Sequence, residues 1–96
     1  MPAERPKAVA TLLQETDRVK VTEWRFAVGA ETGWHRHEYD YVVVCLTAGT
    51  LLAETAEGNV ATPLRFGQAY ARTVGVEHNI VNASAGEFAF VEVELK

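Results

Sequence analysis

The chain has 96 residues, enough to enclose one modest core and too few for a second catalytic domain. Apolar residues make up 48% and charged residues 23%, the balance of a globular protein rather than of a disordered or fibrous one. The net charge is −4 and the nine Lys and Arg are scattered, so no basic field for phosphates exists and nucleic acid is not an expected partner.

In chain order, Met1 to Lys7 holds Glu4, two prolines and no apolar run, which reads as neither a secretion signal nor a membrane anchor. Residues 1–17 are taken as an N-terminal segment, with Pro6 to Asp17 helical or irregular, ahead of a barrel domain over 18–96. From Arg18 onward short runs rich in Val, Tyr, Phe and Thr alternate with turn residues, the pattern of an all-β protein. In the first strand, Arg18 to Phe26, Val19 and Val21 share a face but Trp24 and Phe26 take the other parity, which predicts a bulge near Thr22 or Glu23. Further strands are predicted at Trp34 to Glu38, Tyr41 to Thr47, Thr50 to Glu54, Val60 to Leu64, Ala69 to Thr73, His78 to Asn82 and Glu87 to Leu95. Turns fall at Ala48-Gly49, Glu57-Gly58-Asn59, Phe66-Gly67, Gly75 and Ser84-Ala85-Gly86. In the last strand Val91, Val93 and Leu95 are read as the buried face and Glu92, Glu94 and Lys96 as the wet one. Phe88 and Phe90 share the parity of the glutamates, so a loop or a second subunit is expected to cover them, and a homodimer follows.

No run of ~18 apolar residues occurs, so no helix is expected to span a bilayer and no membrane partner is expected. Cys45 stands alone, which rules out an intramolecular disulfide, reads as a small buried hydrophobe, and fits the reducing cytoplasm.

The chemistry centres on three histidines. Residues i and i+2 of a strand share a face, so His35 and His37 present two imidazoles side by side. Alone, such a pair reads more readily as surface or core histidines than as ligands. His78 follows the turn Val74-Gly75-Val76-Glu77, and if its strand lies beside that of His35, three neutral imidazoles converge on one point.

With these residues in place the sequence resembles the cupins. Their first motif runs Gly, five residues, His-x-His, three or four residues, Glu, six residues, Gly; Gly29, His35, His37 and Gly49 match it, while the Glu position falls on Val42. The second motif is met by Gly67, Gly75, His78 and Asn82, with Thr73 in place of its proline. More narrowly, Glu31-Thr32-Gly33-Trp34-His35-Arg36-His37, then Tyr41-Val42-Val43-Val44 and Gly75-Val76-Glu77-His78-Asn79, are similar to the BauB group of small cupins, whose label denotes a pathway and not a reaction.

The resemblance implies a small antiparallel jelly-roll-like barrel over roughly residues 18–95 that holds one divalent metal ion (Fe, Zn, Ni or Mn) on His35, His37 and His78. Without the motif glutamate such an ion keeps its full charge and open positions, similar to the three-histidine iron centres of thiol dioxygenases. Asp40 is a candidate substitute ligand, against a plain turn-forming role, and Glu77 is expected to point outward or to orient a neighbour. Tyr70 and Arg72 are candidate substrate-binding residues, Arg72 for a carboxylate, and Trp34 and Tyr39 a candidate aromatic rim. Asn82 reads as structural. The expected function is a metal-dependent enzyme acting on a small polar metabolite; the alternative is a non-catalytic module that binds or senses a small molecule.

Overall fold

The computed structural model describes residues 4–96. Nine strands occur among them: β1 Val9–Glu15, β2 Val19–Phe26, β3 His35–Arg36, β4 Asp40–Cys45, β5 Gly49–Thr55, β6 Gly58–Leu64, β7 Ala69–Arg72, β8 Glu77–Asn82 and β9 Phe88–Leu95. They form a five-stranded sheet in the order β1-β2-β9-β4-β7 and a four-stranded sheet in the order β3-β8-β5-β6, with every named pairing antiparallel. The two sheets close over one core of Phe26, Tyr41, Val43, Cys45, Leu51, Leu64, Phe88 and Phe90, as expected of a small all-β cupin barrel.

Three expectations are corrected. Residues 9–15 are neither helical nor irregular: β1 pairs with β2 along its whole length as the sheet's edge strand, exposed throughout. The bulge belongs to β1, between Leu12 and Gln14, and not to β2, which runs unbroken against β9 from Val19 to Phe26. The face assignment of β9 is reversed. Phe88, Phe90 and Glu92 are buried with Thr22, Phe26, Tyr41, Val43 and Cys45 on the barrel's inner side, while Val91, Val93 and Leu95 turn outward beside Val21, Val42 and Val44. Phe88 and Phe90 therefore need no second subunit to cover them.

Two glycines carry the connections that matter for the site. Gly75 takes a φ of 95°, a left-handed value that lets the β7–β8 turn double back. Gly49 lies in extended β5, and its role is close approach: a Cβ there would collide with Ser84 and Phe88. Asn82 is structural as expected, its amide donating to the carbonyls of Phe26, Ala27 and Gly86 while its oxygen accepts from the Ser84 N–H.

Candidate metal centre

β3 is only two residues long, yet its pairing decides the site, because His35 stands directly opposite His78 and Arg36 opposite Glu77. The chain just beyond β3 is held by the Gly75 turn: the His37 N–H donates to the Val76 carbonyl at 2.9 Å, and the Gly75 N–H to the His37 carbonyl at 2.9 Å. All three rings point into the barrel. The Nε2 of His37 lies 3.0 Å from that of His35 and 3.1 Å from that of His78, and the ligand atoms of all three lie within 4.8 Å of one another.

Hydrogen bonding fixes which nitrogen of His35 is free. Its Nδ1 is 2.8 Å from the Gly33 carbonyl, which can only accept, so Nδ1 carries a proton and Nε2 is the nitrogen turned toward the other two rings. Burial, reinforced by His35 for both rings and further by His78 for His37 and by Arg72 for His78, lowers His37 and His78 to about 4, so both are neutral at pH 7, the form that ligates. In neutral imidazoles, each Nε2 is either a donor or an acceptor, and three of them facing one point cannot all pair with each other. One cation resolves the conflict, and imidazoles bound at right angles around an ion at ~2.1 Å have nitrogens about 3.0 Å apart, close to the two separations here. The donor set fits a divalent metal.

Asp40 is not in this group. Its Oδ1 accepts the Val74 N–H at 2.7 Å, and the residue is exposed. Val42 is half-buried on the outer side of β4, and the inward residue beside the histidines is Tyr41, whose ring stacks on His37 with centroids 3.8 Å apart. Glu77 is exposed and near Arg36, as expected of an outward residue. Trp34 is exposed.

Below the histidines lies a cavity of about 180 Å³ bounded by His35, His78, Tyr41, Tyr70, Arg72 and Glu92 among others. Tyr70 and Arg72 thus share one cavity with two of the histidines, and the Arg72 guanidinium sits 5.0 Å from the centre of the Tyr70 ring. Burial pushes the Tyr70 hydroxyl up to about 12, so at neutral pH it is an uncharged donor.

Glu92 escaped the sequence reading. It is 8% exposed, and burial, with Glu94 adding repulsion, pushes its carboxyl up to about 7, while Trp24 and Lys20 pull the other way. The available signal was its parity with Phe88 and Phe90, which marks the inner face once these are recognised as core.

A polar cluster backs the centre from outside the four-stranded sheet. Buried Asn79 accepts the Gly33 N–H at 2.9 Å and donates to Glu31 and Glu54 at 2.8 Å each, and Arg5 bridges the same two carboxylates. The backbone of residues 6–8 is tied to Glu31 as well. The peptide whose carbonyl orients His35 is thereby anchored to the N-terminal segment.

No family model matches the chain. It is 63% identical over 92 residues to a protein of Pseudomonas aeruginosa named β-alanine degradation protein BauB, covering 96% of this chain and 97% of that one. A crystal structure of a cupin domain from Bordetella pertussis superposes with a TM-score of 0.96 at 56% identity over 99% of both chains. A cupin superfamily protein from Desulfitobacterium hafniense aligns with a TM-score of 0.74 at 18% identity, covering 99% of this chain and 83% of that one, a likeness of fold alone.

Proposed function

Because the chain belongs to the cupin family, in the branch that includes BauB, we propose that it is a metal-dependent enzyme acting on a small polar metabolite. The observation that carries this reading is the convergence of three imidazole nitrogens, two of them on rings held neutral by burial, at the edge of a cavity of metabolite size. His35, His37 and His78 hold one divalent ion, which iron, zinc, nickel or manganese all satisfy; Asp40, engaged by Val74, is left out of the set. When bound, the ion supplies a Lewis acid or an O₂-binding position. Arg72 receives a carboxylate of the substrate, and the Tyr70 hydroxyl donates to it. The name of the Pseudomonas relative makes β-alanine, small enough for the cavity, the first substrate to try.

The test is metal analysis of protein purified without a histidine tag. About one equivalent of a single divalent metal in the wild type, and loss of most of it in His35→Ala, is expected. Equal, sub-stoichiometric metal in both overturns the metal centre. Full metal with no turnover of small amino acids or thiols in an oxygen-electrode assay favours a binding module.

The proposal places the protein in the cytoplasm, in keeping with the single, buried thiol of Cys45. Among the described residues no helix is long and apolar enough to cross a membrane. A homodimer is part of the same proposal, formed through the outward valines of the five-stranded sheet.

A further inference from the structure

The inner face of the five-stranded sheet is ordered in cross-strand rows. Trp24 pairs with Phe90 and Phe90 with Cys45; Thr22 pairs with Glu92, Glu92 with Val43, and Val43 with Tyr70; Lys20 pairs with Glu94, Glu94 with Tyr41, and Tyr41 with Arg72. Glu92 therefore sits in the middle row, with aromatic rings in its own row and in the rows on either side. Trp24, Tyr41, Tyr70 and Phe90 all line the same cavity as Glu92.

Glu92 is 8% exposed as a residue, the Trp24 side chain is its polar neighbour, and no ion pair joins it to Lys20, Arg72 or any other cation among the described residues. A buried carboxylate without a counter-ion is costly, so the group either keeps its proton or takes a cation from the cavity that it faces. Aromatic faces attract organic cations, so the walls around Glu92 favour the same charge that its carboxylate does. An anionic group placed beside Glu92 would meet repulsion there, whereas Arg72, on the same cavity, is available to the carboxylate end of a zwitterion.

We propose that the cavity is a binding site for a small organic ammonium group, seated against Glu92 and walled by Trp24, Tyr41, Tyr70 and Phe90. The molecule's other end then extends toward His35 and His78, which border the same cavity. The inference deepens the enzyme reading and rests on it for the fate of the amine, but the binding itself does not require a metal ion. The high pKa of Glu92 in the free protein agrees with a site that becomes fully ionised only when a cation enters.

The experiment is a calorimetric or NMR titration of the full chain with propylammonium and, separately, with 1-propanol, its uncharged counterpart of equal length. Saturable binding of propylammonium at least about tenfold tighter than of propanol is expected, together with a loss of about tenfold or more in Glu92→Gln. Glu57→Gln, in the exposed turn between β5 and β6, controls for general charge and is expected to change affinity less than about twofold. Equal affinity for the two probes, no saturable binding of propylammonium, or an unchanged Glu92→Gln variant overturns the proposal. The wild-type comparison of probes decides the matter even if the variant does not fold. Repeating the titration in His35→Ala separates the two readings: Glu92-dependent binding that survives there, whatever the metal content, upholds the ammonium site independently of the metal centre.

Discussion

At Glu92 the proton is retained to about pH 7 because water is excluded and Glu94 lies on the same face. Its native pKa lies above the ordinary 4.5, so its stabilising contribution is complete below about 4.5 and is lost as pH rises through about 7. For His37 and His78 the sign is opposite. Their native pKa values lie below the ordinary 6.5, so their contribution is present above 6.5 and is lost as pH falls through about 4. Glu92→Gln is expected to be more stable than the wild type at pH 8 by up to about 3 kcal/mol, with the advantage vanishing near pH 4.5. Urea unfolding at the two pH values, with both proteins stripped by chelator, measures this; equal midpoints and slopes at pH 8 would contradict it. The histidine pair was legible in the sequence because period-two geometry is local, whereas Glu92 was not, because apolar residues lie on both faces of its strand.

Among the elements, β3 depends most on its surroundings, since two residues and one pair of cross-strand partners cannot hold His35 by themselves. The Gly33 peptide does so, and it is fixed by Asn79, which Glu31, Glu54 and through them Arg5 secure. Asn79→Ala is expected to cost about 1–3 kcal/mol of stability and to weaken metal binding about 10–100-fold by freeing the His35 ring. Denaturant unfolding and a cobalt titration followed by visible absorption give the two numbers. Full cobalt affinity in a destabilised variant would leave Asn79 as scaffold only. The network was not legible beforehand, because Arg5, Glu31, Glu54 and Asn79 are separated from one another by 23 to 74 residues in the sequence and do not repeat at a structural period. β1 was missed for a different reason: Val9-Ala10-Thr11-Leu12-Leu13-Gln14 lacks alternation, as an edge strand exposed on both sides and bulged in the middle is free to do. The motif count to Val42 was correct as a count, yet the strand turns that side chain outward and brings Tyr41 to the histidines.

For the molecule as a whole, the outer side of the five-stranded sheet carries Val21, Val93, Val42 and Ala71 in one cross-strand row and Val91, Val44 and Ala69, beside Glu23, in the next, with Leu95 nearby. A contiguous apolar face of this kind is unusual on a monomer, and a second copy of the chain covers it most simply, by symmetry. Light scattering at micromolar concentration is expected to give twice the chain mass, and Val93→Lys to give the monomer with its folded spectrum retained. A monomeric wild type would sink the dimer. By itself the sequence determined what depends on short-range spacing: one all-β domain, the cupin motifs, and His35, His37 and His78 as a set. Only the tertiary structure decided which face of β9 is inside, that Tyr41 and Glu92 border the site, and that Arg5 reaches across to its back. The physical reason is that strand parity sorts side chains into two groups without saying which is inward. That choice is made when two sheets close on each other, and it depends on contacts between residues far apart in the chain.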